Sequence, residues 1–184
     1  MIRPNDERLI LAAIALRLAE SAERIEQPPS TEMTLAWHYT VADRVESILT
    51  AGHLWGLPDD CLFPGERPVV WFSLNQSFEP TAYKGIIDVR TGLRRDMTWA
   101  EMRAEGIYRF GAPPRALLCG DRLRRAARIP AWLWRNLHDV GLQQKADPTD
   151  WFGHVGSMPI DGMRVERMTD AERWVEWEPQ RIAA

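Results

Sequence analysis

Leu35-Ala-Trp-His-Tyr-Thr40 is the stretch whose reading decides the fold. Its large side chains Leu35, Trp37 and Tyr39 continue an alternation that begins at Met33, and a period of two marks a strand with two unlike faces. Thr34, Ala36 and His38 share the other face, so alternation assigns the packed side to the aromatic residues and turns His38 away from it. Thr40 is placed to cap a helix over 41–51, in which Val41, Val45, Ile48 and Leu49 form one apolar face and Gly52 stands just past the end. His53-Leu-Trp55 then resumes an extended path.

Downstream, residues 56–68 carry Pro58, Asp59, Asp60, Pro64, Gly65 and Pro68, a loop long enough to serve as a lid. Val69-Val-Trp-Phe-Ser73 follows as a short buried strand by its β-branched and aromatic content, with Trp71 and Ser73 on one face and Phe72 on the other. The run 75–82 is polar and turn-forming. Asp96 or Thr98 can cap a helix ending at Gly106, Tyr108-Arg-Phe110 reads as a strand, and a second helix runs from Pro130 to Lys145. Three stretches in the last forty residues, separated by Asp161-Gly162 and Thr169-Asp-Ala171, read as a closing β-meander.

Upstream, Leu11, Ile14, Leu18, Ala22 and Ile25 make a helical stripe over 6–26, and Pro28-Pro-Ser-Thr31 ends it as a hinge. The expected organisation is a helix and hinge over 1–29 and one domain over 30–184. No apolar run reaches the ~20 residues that span a bilayer, so no membrane partner is expected. Acidic residues precede the first apolar run, with no small-residue cleavage site, and Cys61 and Cys119 stand far apart with no metal-ligand spacing. A cytoplasmic location with reduced thiols and no metal is the expectation. The charge of −3 hides a bias, because residues 90–128 hold ten arginines against Asp96, Glu101, Glu105 and Asp121, a local net of +6. Such a segment suits a polyanion, yet with 21 arginines to two lysines an arginine-rich surface is also this chain's habit.

Chemistry concentrates where two strands point to one pocket. His38 and Thr40 lie on the first, Trp71, Phe72 and Ser73 on the second, and Tyr83 follows ten residues later. Aromatic rings wall a flat heterocycle by offset stacking, and a hydroxyl beside them bonds an amide group. Taken singly, each is also an ordinary core residue, and the chain has nine tryptophans.

In that order, Trp37-His-Tyr-Thr40, Ile48-Leu-Thr-Ala-Gly52, Val70-Trp-Phe-Ser73 and Tyr83 resemble the ADP-ribosyltransferase-like fold, in the branch that includes the DarT toxins, poly(ADP-ribose) polymerases and tRNA 2′-phosphotransferases. The resemblance covers residues 34–83. It implies an α+β fold with a split antiparallel sheet, flanking helices and an added N-terminal helix. It also implies NAD as cofactor and transfer of ADP-ribose to a nucleic-acid or protein acceptor, the former through the arginine-rich segment, in a toxin or phage-defence setting. By the same resemblance His38 bonds the nicotinamide ribose, Thr40 supports that region, Ser73 contacts the carboxamide, and Phe72 or Tyr83 stacks on the ring. The family's late acidic residue, which steadies an oxocarbenium-like transition state, falls at Glu176 or Glu178, with Glu166 and Glu79 as alternatives. No arginine opens the first strand where several members bind phosphate, and Arg44, Arg67 or the 90–128 segment are the substitutes. Two other readings stay open: an inactive module that binds NAD, ADP-ribose or a partner, and an RNA 2′-phosphotransferase with His53 as second histidine.

Overall fold

Strand β1 (Ala36–Val41) buries Ala36, Trp37, Tyr39, Thr40 and Val41, so it is covered on both faces, as a central strand must be. It enters helix α1 (Ala42–Ala51) through Val41, whose side chain makes no capping bond, and α1 ends on Gly52 in the left-handed conformation, φ 71°. The helix therefore starts one residue later than expected, and Thr40 is a buried strand residue rather than its cap. Then come β2 (His53–Leu54), β3 (Val69–Ser73) and a hairpin of β4 (Gly85–Ile87) and β5 (Arg94–Asp96). Helix α2 (Trp99–Glu105) is closed by a capping box between Thr98 and Glu101 and leads into β6 (Ile107–Ala112). The chain continues through β7 (Leu118–Cys119), α3 (Gly120–Ala126), α4 (Ala131–Gln143), β8 (Trp151–Val155), β9 (Met158–Pro159), β10 (Arg164–Met168) and β11 (Trp174–Glu176). This computed structural model describes residues 34–178, and the helix and hinge expected over 1–29 lie outside the described residues.

Seven of the described strands form one antiparallel sheet in the order β11-β10-β6-β1-β3-β8-β7. The architecture is α+β. The last strands are not a simple meander: β8 pairs with β3 on one half of the sheet, while the β10–β11 hairpin attaches to β6 on the other. The short alternating runs looked consecutive, but each docks where its apolar face finds a partner.

Register and alternation place Ala36, His38 and Thr40 on the same face as Val70, Phe72, Phe110 and Ala112, and Ile48 of α1 packs there with Leu54, Met158 and Val165. The other face carries Val41 and Ile107 against Met97 and Met102, and Val69 against Leu123, Ala127 and Ile129. His38 thus faces the principal core, not away from it. Alternation misassigned it because both faces of β1 are packed, so large side chains no longer mark the inside.

Candidate functional site

The decisive feature is a divergence of two neighbouring strands. β1 pairs with β6 through six successive residues, from Ala36↔Ala112 to Val41↔Ile107, but with β3 only at Trp37↔Ser73. Beyond that point the ladder opens, and the imidazole of His38 spans the gap: Nδ1 donates to the carbonyl of Trp71 at 2.9 Å. The opening is a cleft of about 620 Å³, lined by His38 and Thr40 of β1, Trp71, Phe72 and Ser73 of β3, Arg44 of α1, and the segment carrying Glu79, Tyr83 and Lys84. Leu137 and Gly141 of α4 and Trp55 and Leu57 of the 55–68 loop complete its wall.

A carbonyl only accepts, so the bond to Trp71 assigns the proton to Nδ1 and leaves Nε2 as an acceptor. Burial, and then the Lys84 charge, pull the His38 pKa down to about 3, so the ring is neutral across the physiological range. Its ring lies 5.8 Å from that of Phe72. Lys84 is itself pushed down to about 8, by burial and by the like charge of Arg44. Two cations beside a neutral histidine favour an anionic ligand.

Ser73 and Glu79 are both buried. The Ser73 hydroxyl donates to Glu79 Oε2 at 2.7 Å and accepts from the amide of Asn75 at 3.1 Å. Its single proton is therefore committed, and the serine holds a carboxylate instead of offering itself to a ligand amide. Glu79 Oε1 in turn accepts from the amide and hydroxyl of Thr81, at 3.2 and 2.7 Å. A carboxylate so bracketed is a fixed acceptor inside a mostly apolar cleft.

Of the sequence-derived residues, the structure brings His38, Thr40, Phe72, Ser73 and Tyr83 to this cleft. Phe72 is buried beneath it, while Tyr83 is 36% exposed at its rim and meets Phe78 edge-on. Glu176 and Glu178 are exposed and do not line it; Glu176 sits on β11, paired with Glu166 in register and 3.9 Å from Arg164. Glu166 is buried against Arg109. Late position in the chain suggested those acids, but β11 is the sheet edge, four strands from β3. Of the four acids the sequence nominates, the one that lines the cleft is Glu79; Asp96 of β5 lines it as well. His53 lies on β2, bonded to the Ala51 carbonyl, and is not among the cleft residues. Lys84 was missed; its signal was its rarity, one of two lysines, directly after Tyr83.

Five of the ten arginines of 90–128 are ion-paired. Arg95 pairs with Glu101 and Asp88, Arg103 with Glu172, Arg109 with Glu166, and Arg124 and Arg125 with Asp121. Among the described residues there is no metal-binding cluster and no helix long and apolar enough to cross a membrane. No protein-family model, no curated protein and no solved structure matches this chain.

Proposed function

We propose that the chain cleaves NAD at its nicotinamide glycosidic bond and transfers ADP-ribose to an acceptor. The observation that carries this reading is the Ser73–Glu79 pair lining the same cleft as a neutral His38, from the other face of the sheet, where β1 parts from β3. In the reaction the C1–N bond of the nicotinamide ribose breaks, its electron pair leaves with nicotinamide, and positive charge develops on the sugar. Glu79, held rigid by Ser73 and Thr81, supplies the opposing negative charge where water is scarce, which is where such a charge is most effective. His38 Nε2 accepts from a ribose hydroxyl and orients the sugar. Arg44 and Lys84 attract the two phosphates, replacing the arginine that the first strand lacks. Tyr83, exposed at the rim, offers a ring face for the leaving base, and Phe72 packs beneath His38.

The acceptor is a nucleic acid or a protein. Arg90, Arg115, Arg122 and Arg128 are exposed, with no ion pair among the described residues, and provide the cationic contacts for the former.

The test is release of free nicotinamide from NAD by the full chain, with Glu79→Gln and His38→Gln beside it. Release that is strongly slowed in both variants supports the reading. NAD binding with no turnover in the wild type replaces it with a binding module, and neither binding nor turnover removes NAD from the account.

A further inference from the structure

The loop between β3 and Glu79 is built of Asn75, Gln76 and Ser77, whose backbone carbonyls need partners once folded against the sheet. Three successive carbonyls find them in side chains from three different strands. Tyr39 Oη of β1 donates to Asn75 O at 2.6 Å, Arg109 Nη1 of β6 to Gln76 O at 2.6 Å, and Trp174 Nε1 of β11 to Ser77 O at 2.5 Å. The Gln76 side chain is tied as well, accepting from Trp37 Nε1 at 2.8 Å and donating to Leu35 O at 3.0 Å.

Arg109 is the centre of this arrangement. Its guanidinium carbon lies 3.9 Å from the ring centroid of Trp37 and 4.1 Å from that of Trp174, so the plane is held between two indoles. Nε and Nη2 both meet Glu166 Oε2, at 2.7 and 2.5 Å. A buried ion pair is seldom a net source of stability, because desolvation offsets its Coulomb gain. What this one provides is direction: stacking fixes the plane, Glu166 occupies one side, and the remaining Nη1 points at the loop. Only a planar, multidentate cation can meet all these constraints, and lysine lacks the geometry.

We propose that Arg109 is the positioning residue of the cleft. Through the Gln76 carbonyl it fixes the loop backbone three residues before Glu79 and thereby aims that carboxylate. The proposal rests on the reading of Glu79 as the charge-stabilising acid, but the loop restraint itself is measurable without turnover.

Two variants test it in the full chain. Arg109→Lys keeps a charge for Glu166 and loses the fork; Trp174→Phe keeps a smaller aromatic ring beside Arg109 and Tyr39 and deletes the indole donor to Ser77. Amide hydrogen exchange over residues 74–81 is expected to accelerate about tenfold in Arg109→Lys and less in Trp174→Phe, with α4 and β8 unchanged. The kcat for nicotinamide release is expected to fall about 100-fold in Arg109→Lys while KM for NAD stays within about threefold. Unchanged exchange in both variants overturns the proposal, as does faster exchange with unchanged kcat. If Arg109→Lys does not fold, Trp174→Phe decides by the same two readouts. A wild type that releases no nicotinamide defeats the ADP-ribosyl reading alone, and exchange over 74–81 then judges the restraint by itself.

Discussion

The hydroxyl of Ser73, on β3, donates to the carboxylate of Glu79 across 2.7 Å, and both residues are buried beside the cleft where β1 leaves β3. The bond joins the end of a strand to the loop that follows it, so the carboxylate is held by the same strand that forms the cleft wall.

Removing either end of this pair is expected to slow nicotinamide release more than it weakens NAD binding. Glu79→Gln keeps the volume and loses the charge, and a loss of about 100-fold in kcat is expected, the scale of other charge-stabilising groups. Ser73→Ala should cost less, and the double variant should be no worse than Glu79→Gln, since the serine acts through the acid. Steady-state kinetics with calorimetric NAD titration checks this; additive effects would separate the two roles.

The neutral His38 has a consequence for stability in mild acid. Its folded pKa is about 3 against 6.5 in the unfolded chain, so between these values the unfolded state binds a proton that the folded state refuses. Stability is unaffected by this group above pH 6.5 and falls as pH drops below it, by at most about 1.4 kcal/mol per pH unit. Tm followed from pH 7 to 5 should decline more steeply in the wild type than in His38→Gln. Parallel curves would show that the imidazole titrates freely.

Lys84 acts at the other end of the range. With its pKa near 8, its ammonium loses charge as pH rises toward 9, and affinity for a polyanionic ligand should fall by a few-fold to about tenfold. Lys84→Arg, charged throughout, should abolish that dependence. Binding isotherms for NAD at pH 7 and 9 with both proteins decide it, equal slopes counting against the lysine.

Gly111, on β6, is one position where the sheet has no room for a side chain. A Cβ there would lie 2.6 Å from Trp37 Cζ3 and 2.8 Å from Leu35 Cδ1, displacing the indole that stacks on Arg109. Gly111→Ala is expected to cost about 1–3 kcal/mol and to lower Tm by several degrees, measured by thermal melts. A variant as stable as the wild type would mean that Trp37 has room to move.

Local elements were legible because their signals are local. The cap at Thr98, offered beside Asp96, the glycine ending α1, the opposed faces of Trp71 and Phe72 and the helix after Pro130 all rest on interactions within a few residues. The β4–β5 hairpin left no comparable mark, its strands being three residues each and largely polar. The side on which His38 packs was misread, since alternation tells in from out only when one face is wet.

The sequence by itself marked the histidine strand, the helix that follows it, the Trp-Phe-Ser strand, and the aromatic side chains that gather at the cleft. Only the tertiary structure decided which of the nominated acids lines that cleft. Glu79 is placed by a serine six residues away and a loop held from three other strands, whereas Glu176, suggested by its place in the chain, lies at the sheet edge. Hydrogen bonds between residues distant in sequence carry no periodic signature, so a pattern can nominate carboxylates but only the packed sheet selects among them.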